Sequence, residues 1–234
     1  LPFYITGGLS LALWVPLYLS LPSGQRQLGQ QLDLINRFKV IGRRSAPWYV
    51  FIANVAQQAT LLGLMTYFAA YMIESYGWDE ANTAPGLALL GVGAVIGSFA
   101  GGVIASRTRR LEWLAVISLA SGAVTGFLFA FDLHAWIVVA VALVTSVLAS
   151  VSMPILTTLI MHLAGESRGT AGGMFTASAQ AGGVVGASAG GLMLSLGGYQ
   201  AVGLLFLVSS ILSASVVGLL IRRSPAFRFG GTST

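Results

Sequence analysis

The chain has 234 residues, of which 56% are hydrophobic and 8% charged, with a mean hydropathy of +0.83. A soluble domain carries about 25% charged residues, so the composition excludes a soluble fold and points to an integral membrane protein. There is no cysteine, which excludes disulfides and cysteine-ligated zinc. The net charge of +5 has to be read with the topology before any nucleic-acid partner is inferred from it.

A helix needs about 20 apolar residues to cross a hydrocarbon core of roughly 30 Å. In chain order, seven stretches meet that need: about 1–21, 47–73, 85–106, 112–131, 135–161, 171–196 and 200–221. They are long and continuously apolar, unlike the alternating strands of a transmembrane barrel. The predicted fold class is therefore all-α integral membrane, with seven transmembrane helices. Leu1 opens directly in the first stretch without the basic region of a signal peptide. It reads as an internal start, and the chain as a piece of a longer protein.

The loops set the orientation. Arg26, Arg37, Lys39, Arg43 and Arg44 follow the first span, Arg107, Arg109 and Arg110 the third, Arg168 the fifth, and Arg222, Arg223 and Arg228 the seventh. All 12 basic residues thus fall on one side, and the opposite loops carry Glu74, Asp79, Glu80 and Asp132. The basic side is cytoplasmic by the positive-inside rule, which places the N-terminus outside and the C-terminus inside. The positive charge is then a topology signal, and no nucleic-acid partner is expected. The lipid bilayer is the expected surround, in the cell (inner) membrane.

The long loop 22–46 is the one polar stretch able to join two bundles. In it Leu28, Leu32, Ile35 and Phe38 recur at helical spacing among polar and basic residues. That pattern fits an amphipathic helix along the interface or a partly ordered linker.

Seven glycines crowd residues 172–194. Each would cost roughly 1 kcal/mol relative to alanine in a helix in water. In lipid, where helices associate by close backbone packing, they are useful. Gly182, Gly186 and Gly190 fall four apart and form one smooth stripe, which Gly191 widens. The stripe suits either static packing or a surface along which a second helix slides.

The run ESRGTAGGMFTASAQAGGVVGASAGG (166–191) resembles the eleventh span of the major facilitator superfamily with its preceding loop. Its drug exporters commonly carry an acidic residue, Arg-Gly-Thr-Ala and spaced glycines there. The spacing of Gly173, Gly182, Gly186 and Gly190-Gly191 is also similar to that of the family's antiporter motif, with Ala187 where that motif has proline. GGVIASRTRR (101–110) resembles the family's cytoplasmic loop motif through Gly102, Arg107, Arg109 and Arg110, with Ser106 where the stronger version has Asp. TYFAAYMIESYGW (66–78) is similar to a seventh-span exit. The resemblance implies that the seven spans are the sixth to twelfth of twelve. Residues 1–21 are then the last helix of the N-terminal bundle, 22–46 the inter-bundle loop, 47–221 the C-terminal six-helix bundle and 222–234 a cytoplasmic tail. The missing N-terminal half of the same polypeptide becomes a partner.

The resemblance also implies that the second and fifth of these spans line a central cavity. The second carries Asn54, Gln57, Gln58 and Tyr67, and Asn54, Gln58, Leu61 and Met65 share a face. An amide facing lipid is costly, so these groups face either a wet cavity or other helices. The fifth carries Ser146, Ser150, Met153 and Thr157 along one face, with Pro154 beside them to bend the helix as a gate. These eight residues apart from the proline are the candidate substrate-binding set. Hydroxyls bonded back to their own helix are the alternative reading.

No Asp, Glu, Lys or Arg lies near the middle of any span. An intramembrane carboxylate for proton coupling would then belong to the missing half. The function expected is secondary active transport by alternating access, most like the drug/proton antiporter branch, with a small, largely apolar substrate. No cofactor is expected, and a proton gradient is the expected energy source. An uptake symporter of the same fold is the near alternative, and a seven-helix receptor the distant one. A retinal protein is excluded because the only lysine, Lys39, lies in a loop. An enzyme is not expected, because the spans hold no Ser–His or paired-carboxylate constellation within the bilayer.

Overall fold

The computed structural model describes residues 8, 11, 12, 14, 16, 39, 41–43, 45–107 and 112–223. The chain divides into two compact units, Leu1–Asn36 and Arg37–Thr234. In the first, the described residues Gly8, Leu11, Ala12, Trp14 and Pro16 are helical. The rest of the first predicted span, Leu28, Leu32, Ile35 and Phe38 of the loop, Arg109 and Arg110, and residues 224–234 lie outside the described residues.

The second unit is a helical bundle: α1 (Ser45–Tyr76), α2 (Glu80–Arg107), α3 (Glu112–Ala130), α4 (Ala135–Ala164), a 3₁₀ turn (Gly165–Ser167) and α5 (Arg168–Arg223). Among the described residues there is no strand. α1 ends where Gly77 takes φ +66° and donates its N–H to the Ile73 carbonyl at 3.1 Å, an αL cap that a residue with a Cβ resists. Asp79 then caps α2, its Oδ1 accepting from the Asn82 N–H at 2.7 Å. This cap starts α2 at Glu80, ahead of the apolar run that begins at Pro85, and leaves that proline inside the helix.

Gly197 and Gly198 break α5 into two limbs. Gly198 sits at φ +66°, ψ −161°, a conformation open to glycine, and both residues are non-helical. The break falls where the sequence separates a span ending at 196 from one beginning at 200. Each limb exceeds the roughly 20 residues a crossing needs.

Four helical stretches among the described residues are long and apolar enough to cross a membrane: Glu80–Ser106, Glu112–Ala130, Ala135–Ala164 and Arg168–Leu219. α1, at 32 residues, is long enough but is not one of them. Its apolar run is interrupted by Asn54, Gln57, Gln58 and Thr60, and all four are buried inside the bundle.

The core is layered along the helix axes. Toward the ends that carry Arg43 and Arg168 it is mainly aliphatic, with Val50, Leu156, Leu159, Ile160 and Val217. Toward the ends that carry Glu74 and Asp132 it is aromatic, with Tyr67, Phe68, Tyr71, Phe129 and Phe206. Tyr71 packs edge-on to Phe129 at 5.1 Å and against Tyr199 at 4.8 Å. The Tyr199 hydroxyl donates to Glu74 Oε2 at 2.7 Å, tying the exit of α1 to the start of the downstream limb of α5. Between the two apolar layers runs a belt of buried polar side chains from α1, α3, α4 and α5.

Candidate functional site: a polar belt between two glycine contacts

The belt is built by α1. Asn54 is 1% exposed, and its Nδ2 donates to the Phe175 carbonyl at 3.0 Å and to Ser178 Oγ at 2.8 Å, fastening α1 to α5. Gln57, one helical turn on, reaches the other way. Its Nε2 donates to Ser121 Oγ at 3.2 Å and to the Ala149 carbonyl at 3.3 Å, bridging α3 and α4. Thr60 lies 3.3 Å from Ser210 Oγ in the downstream limb of α5. Such interhelical bonds satisfy donors that lipid cannot.

The belt is not fully satisfied. Gln57 Oε1 and the hydroxyls of Ser118, Ser150 and Ser152 are buried without a partner. The Ser121 hydroxyl cannot serve Gln57 Oε1, because it donates to the Ser118 carbonyl at 2.8 Å.

The structure brings together only part of the predicted substrate set. Asn54, Gln57 and Gln58 all turn into the bundle, Gln58 at 7% exposed beside Gly182. The Tyr67 hydroxyl donates to the Ala187 carbonyl on α5, and Ser146 Oγ donates to the Leu90 carbonyl on α2 at 2.7 Å. Ser150 is buried against α2. On the open side of α4, Met153 is exposed, and half-buried Thr157 returns its hydroxyl to the Met153 carbonyl at 2.8 Å. Pro154 sits between them, without an N–H for the Ser150 carbonyl one turn back.

Two glycine contacts flank the belt. On α5, a Cβ at Gly182 would stand 2.5 Å from the Val55 carbonyl oxygen, and one at Gly186 would stand 2.9 Å from the Ala59 carbonyl carbon. Gly190 faces the Tyr67 ring, at 2.8 Å from its Cζ, and Gly191 lies at 3.3 Å from the Tyr67 hydroxyl by the same measure. On α2, Gly93, Gly97 and Gly101 do the same against the Leu143, Val147 and Val151 carbonyls of α4. Each helix pair is thereby packed backbone to backbone, a spacing open to helices without side chains at the contact. Gly173 and Gly102, singled out from the motifs, are exposed and meet nothing within 4 Å. Arg107 ends α2, and its side chain lies outside the described residues.

The second glycine stripe and Ser118, Ser121 and Ser210 are not among the residues singled out from the sequence. The glycines were findable, because GVGAVIGSFAG repeats the four-residue spacing of α5. The serines carry no such signal, since a lone hydroxyl on an apolar helix usually bonds its own backbone.

Comparison with known proteins agrees with this architecture. The family model described as Major Facilitator Superfamily matches residues 1–176 and 112–230. A protein of Escherichia coli (strain K12) named "Putative transporter AraJ" is 29% identical over 157 residues, covering 66% of this chain and 39% of that protein. The chain thus aligns with about two-fifths of the length of this curated relative. With both family matches together spanning nearly all of the sequence, the chain belongs to the Major Facilitator Superfamily.

Proposed function

We propose that the chain is the C-terminal half of a secondary transporter that exports small, largely apolar compounds by alternating access, driven by a proton gradient. Seven spans, the sixth to twelfth of twelve, carry the N-terminus outside and the C-terminus in the cytoplasm of an inner-membrane protein. The family match is the observation that carries the reading, and together with the relative's name it points to a transporter and not to an enzyme. The packing supports it further. α1 with the upstream limb of α5, and α2 with α4, are pairs held at backbone distance, so each moves as a rigid piece when two bundles rock about a site between them. The exporter branch rests on the resemblance of residues 166–191. The carboxylate that takes up the proton belongs to the N-terminal half, because the middle of each described helix has none.

The test is accumulation of a panel of fluorescent apolar compounds in cells that express the whole protein, with and without a protonophore. Export predicts lower accumulation of at least one compound, and loss of the difference when the gradient collapses. Higher accumulation would identify an uptake symporter. No difference for any compound, with the protein present in the membrane, would favour a receptor-like role.

A further inference from the structure

The upstream limb of α5 has two faces of opposite character. Gly182, Gly186 and Gly190 press on α1, while Thr176, Gln180, Val184, Ser188 and Leu192, also four residues apart, are exposed. At 3.6 residues per turn, position 180 stands about 200° around the helix from position 182. Thr176 returns its hydroxyl to the Gly172 carbonyl at 3.1 Å. Gln180 makes no side-chain hydrogen bond among the described residues. At about 1.5 Å per residue it lies roughly 18 Å along the axis from Arg168, near the middle of a hydrocarbon core of about 30 Å.

An unbonded carboxamide at that depth is strongly unfavourable against lipid. The faces exposed around the middle of other helices differ in kind: Val95 and Phe99 of α2, Val116 and Leu119 of α3, and Val208 and Ile211 of the downstream limb. Those faces suit lipid. The α5 face does not, and with Gln180, Val184 and Leu192 protruding it cannot take a second helix at the backbone distance that the glycines opposite allow.

We infer that this face of α5 is a wall of a water-filled path through the membrane, and that the Gln180 carboxamide hydrogen-bonds a neutral polar group of the transported compound. The inference rests on the transporter reading. A carboxamide offers donors and an acceptor oxygen without charge, and the flanking Thr176 and Ser188 are equally neutral. The pairing therefore fits a hydroxyl, carbonyl or amide of an otherwise apolar molecule, not an ammonium or carboxylate.

The 234 residues hold no cysteine, so single cysteines in the whole protein, with any cysteine elsewhere replaced, report on water at one position. Gln180→Cys and Ser188→Cys are compared with Phe99→Cys and Val208→Cys in open membrane fragments. The probe is a charged methanethiosulfonate reagent, which needs a thiolate and hence water. Positions 180 and 188 are expected to react at least about tenfold faster than 99 and 208. A compound found to be transported should slow the reaction at Ser188→Cys, where Gln180 is intact, about threefold at twice its Kd, since the free fraction falls as 1/(1 + [L]/Kd), and adding Gln180→Leu should remove that protection at the same concentration. Slow reaction at all four positions overturns the path and indicates a lipid or protein neighbour. Fast reaction at 188 without protection, or with protection that Gln180→Leu leaves unchanged, overturns the role of the amide. Fast reaction in a protein that moves no compound overturns the transporter reading and the amide's role with it, and leaves the water-filled path standing.

Discussion

The two glycine contacts of the bundle differ in what they press against. Along α2, all three glycines meet backbone: Gly93, Gly97 and Gly101 lie over the carbonyls of Leu143, Val147 and Val151. Along α5, Gly182 and Gly186 meet the carbonyls of Val55 and Ala59, but Gly190 meets the ring of Tyr67. A backbone carbonyl inside a helix cannot retreat without bending that helix, whereas a ring can turn on its side-chain torsions. The α2–α4 pair is therefore fixed along its whole length. The α1–α5 pair is fixed at the basic end and adjustable toward the acidic one, where Tyr67 also holds the Ala187 carbonyl.

The largest effect follows from breaking the fixed pair at its centre. Gly97→Leu puts a side chain into the Val147 carbonyl and against Ser150, whose Cβ would be 2.9 Å from the new Cβ. Overpacking of this kind costs about 1–3 kcal/mol where neighbours can shift, and here the neighbour is backbone. The expected outcome is a loss at the top of that range or beyond, read as a lower midpoint of thermal unfolding in detergent and less folded protein in the membrane. Gly186→Leu is expected to match it, because the Ala59 carbonyl is equally immovable. Gly190→Ala should cost only about 1 kcal/mol, and Gly190→Ala combined with Tyr67→Leu should recover part of that loss. A double-mutant cycle in the same unfolding assay checks the coupling. Equal losses for Gly97→Ala and Gly190→Ala would erase the distinction between the two contacts.

Much of this was legible in the sequence, for reasons that differ by residue. The break of α5 was readable because two adjacent glycines interrupt an apolar run too long for one crossing. The glycine stripe of α5 was readable from its spacing, and the same spacing in α2 was available. The direction of the α1 amides was not readable. Asn54, Gln57 and Gln58 had to avoid lipid, and a cavity or a neighbouring helix would each meet that requirement. What decides is the rotation of α1 against α3, α4 and α5, set by helices up to 160 residues away in the chain. The open amide, Gln180, was unremarkable within its run because its glycine neighbours dominate the pattern. Its position becomes visible only once the opposite face of the helix is seen to be packed.

Smaller effects sharpen the same comparison by testing the belt between the two contacts. Gln57 makes two bonds of 3.2 and 3.3 Å through Nε2, while its Oε1 has no partner. Gln57→Met removes two modest bonds, worth about 1 kcal/mol each, and also removes a buried acceptor whose desolvation costs about 1–3 kcal/mol. The two nearly cancel, so the net change in unfolding midpoint should be small. Asn54→Leu should be clearly worse, since Asn54 makes bonds of 2.8 and 3.0 Å through Nδ2 and is not among the residues with a fully buried, unpartnered polar atom whose removal would offset their loss.

The smallest effect is expected at Gly102, where the sequence motif and the structure part company. The position carries the resemblance to the loop motif, yet a Cβ there would meet nothing within 4 Å. Gly102→Ala should therefore leave packing unchanged, and should stabilise α2 by at most about 1 kcal/mol through helix propensity. Unfolding and transport measured on the same variant separate the two meanings of the glycine. An unchanged or raised midpoint with normal transport would make it an unconstrained position in this state of the bundle. A raised midpoint with impaired transport would mean that Gly102 meets a neighbour only in another state of the cycle, and that its smallness serves movement, while Gly97, five residues away on the packed side, serves the fold.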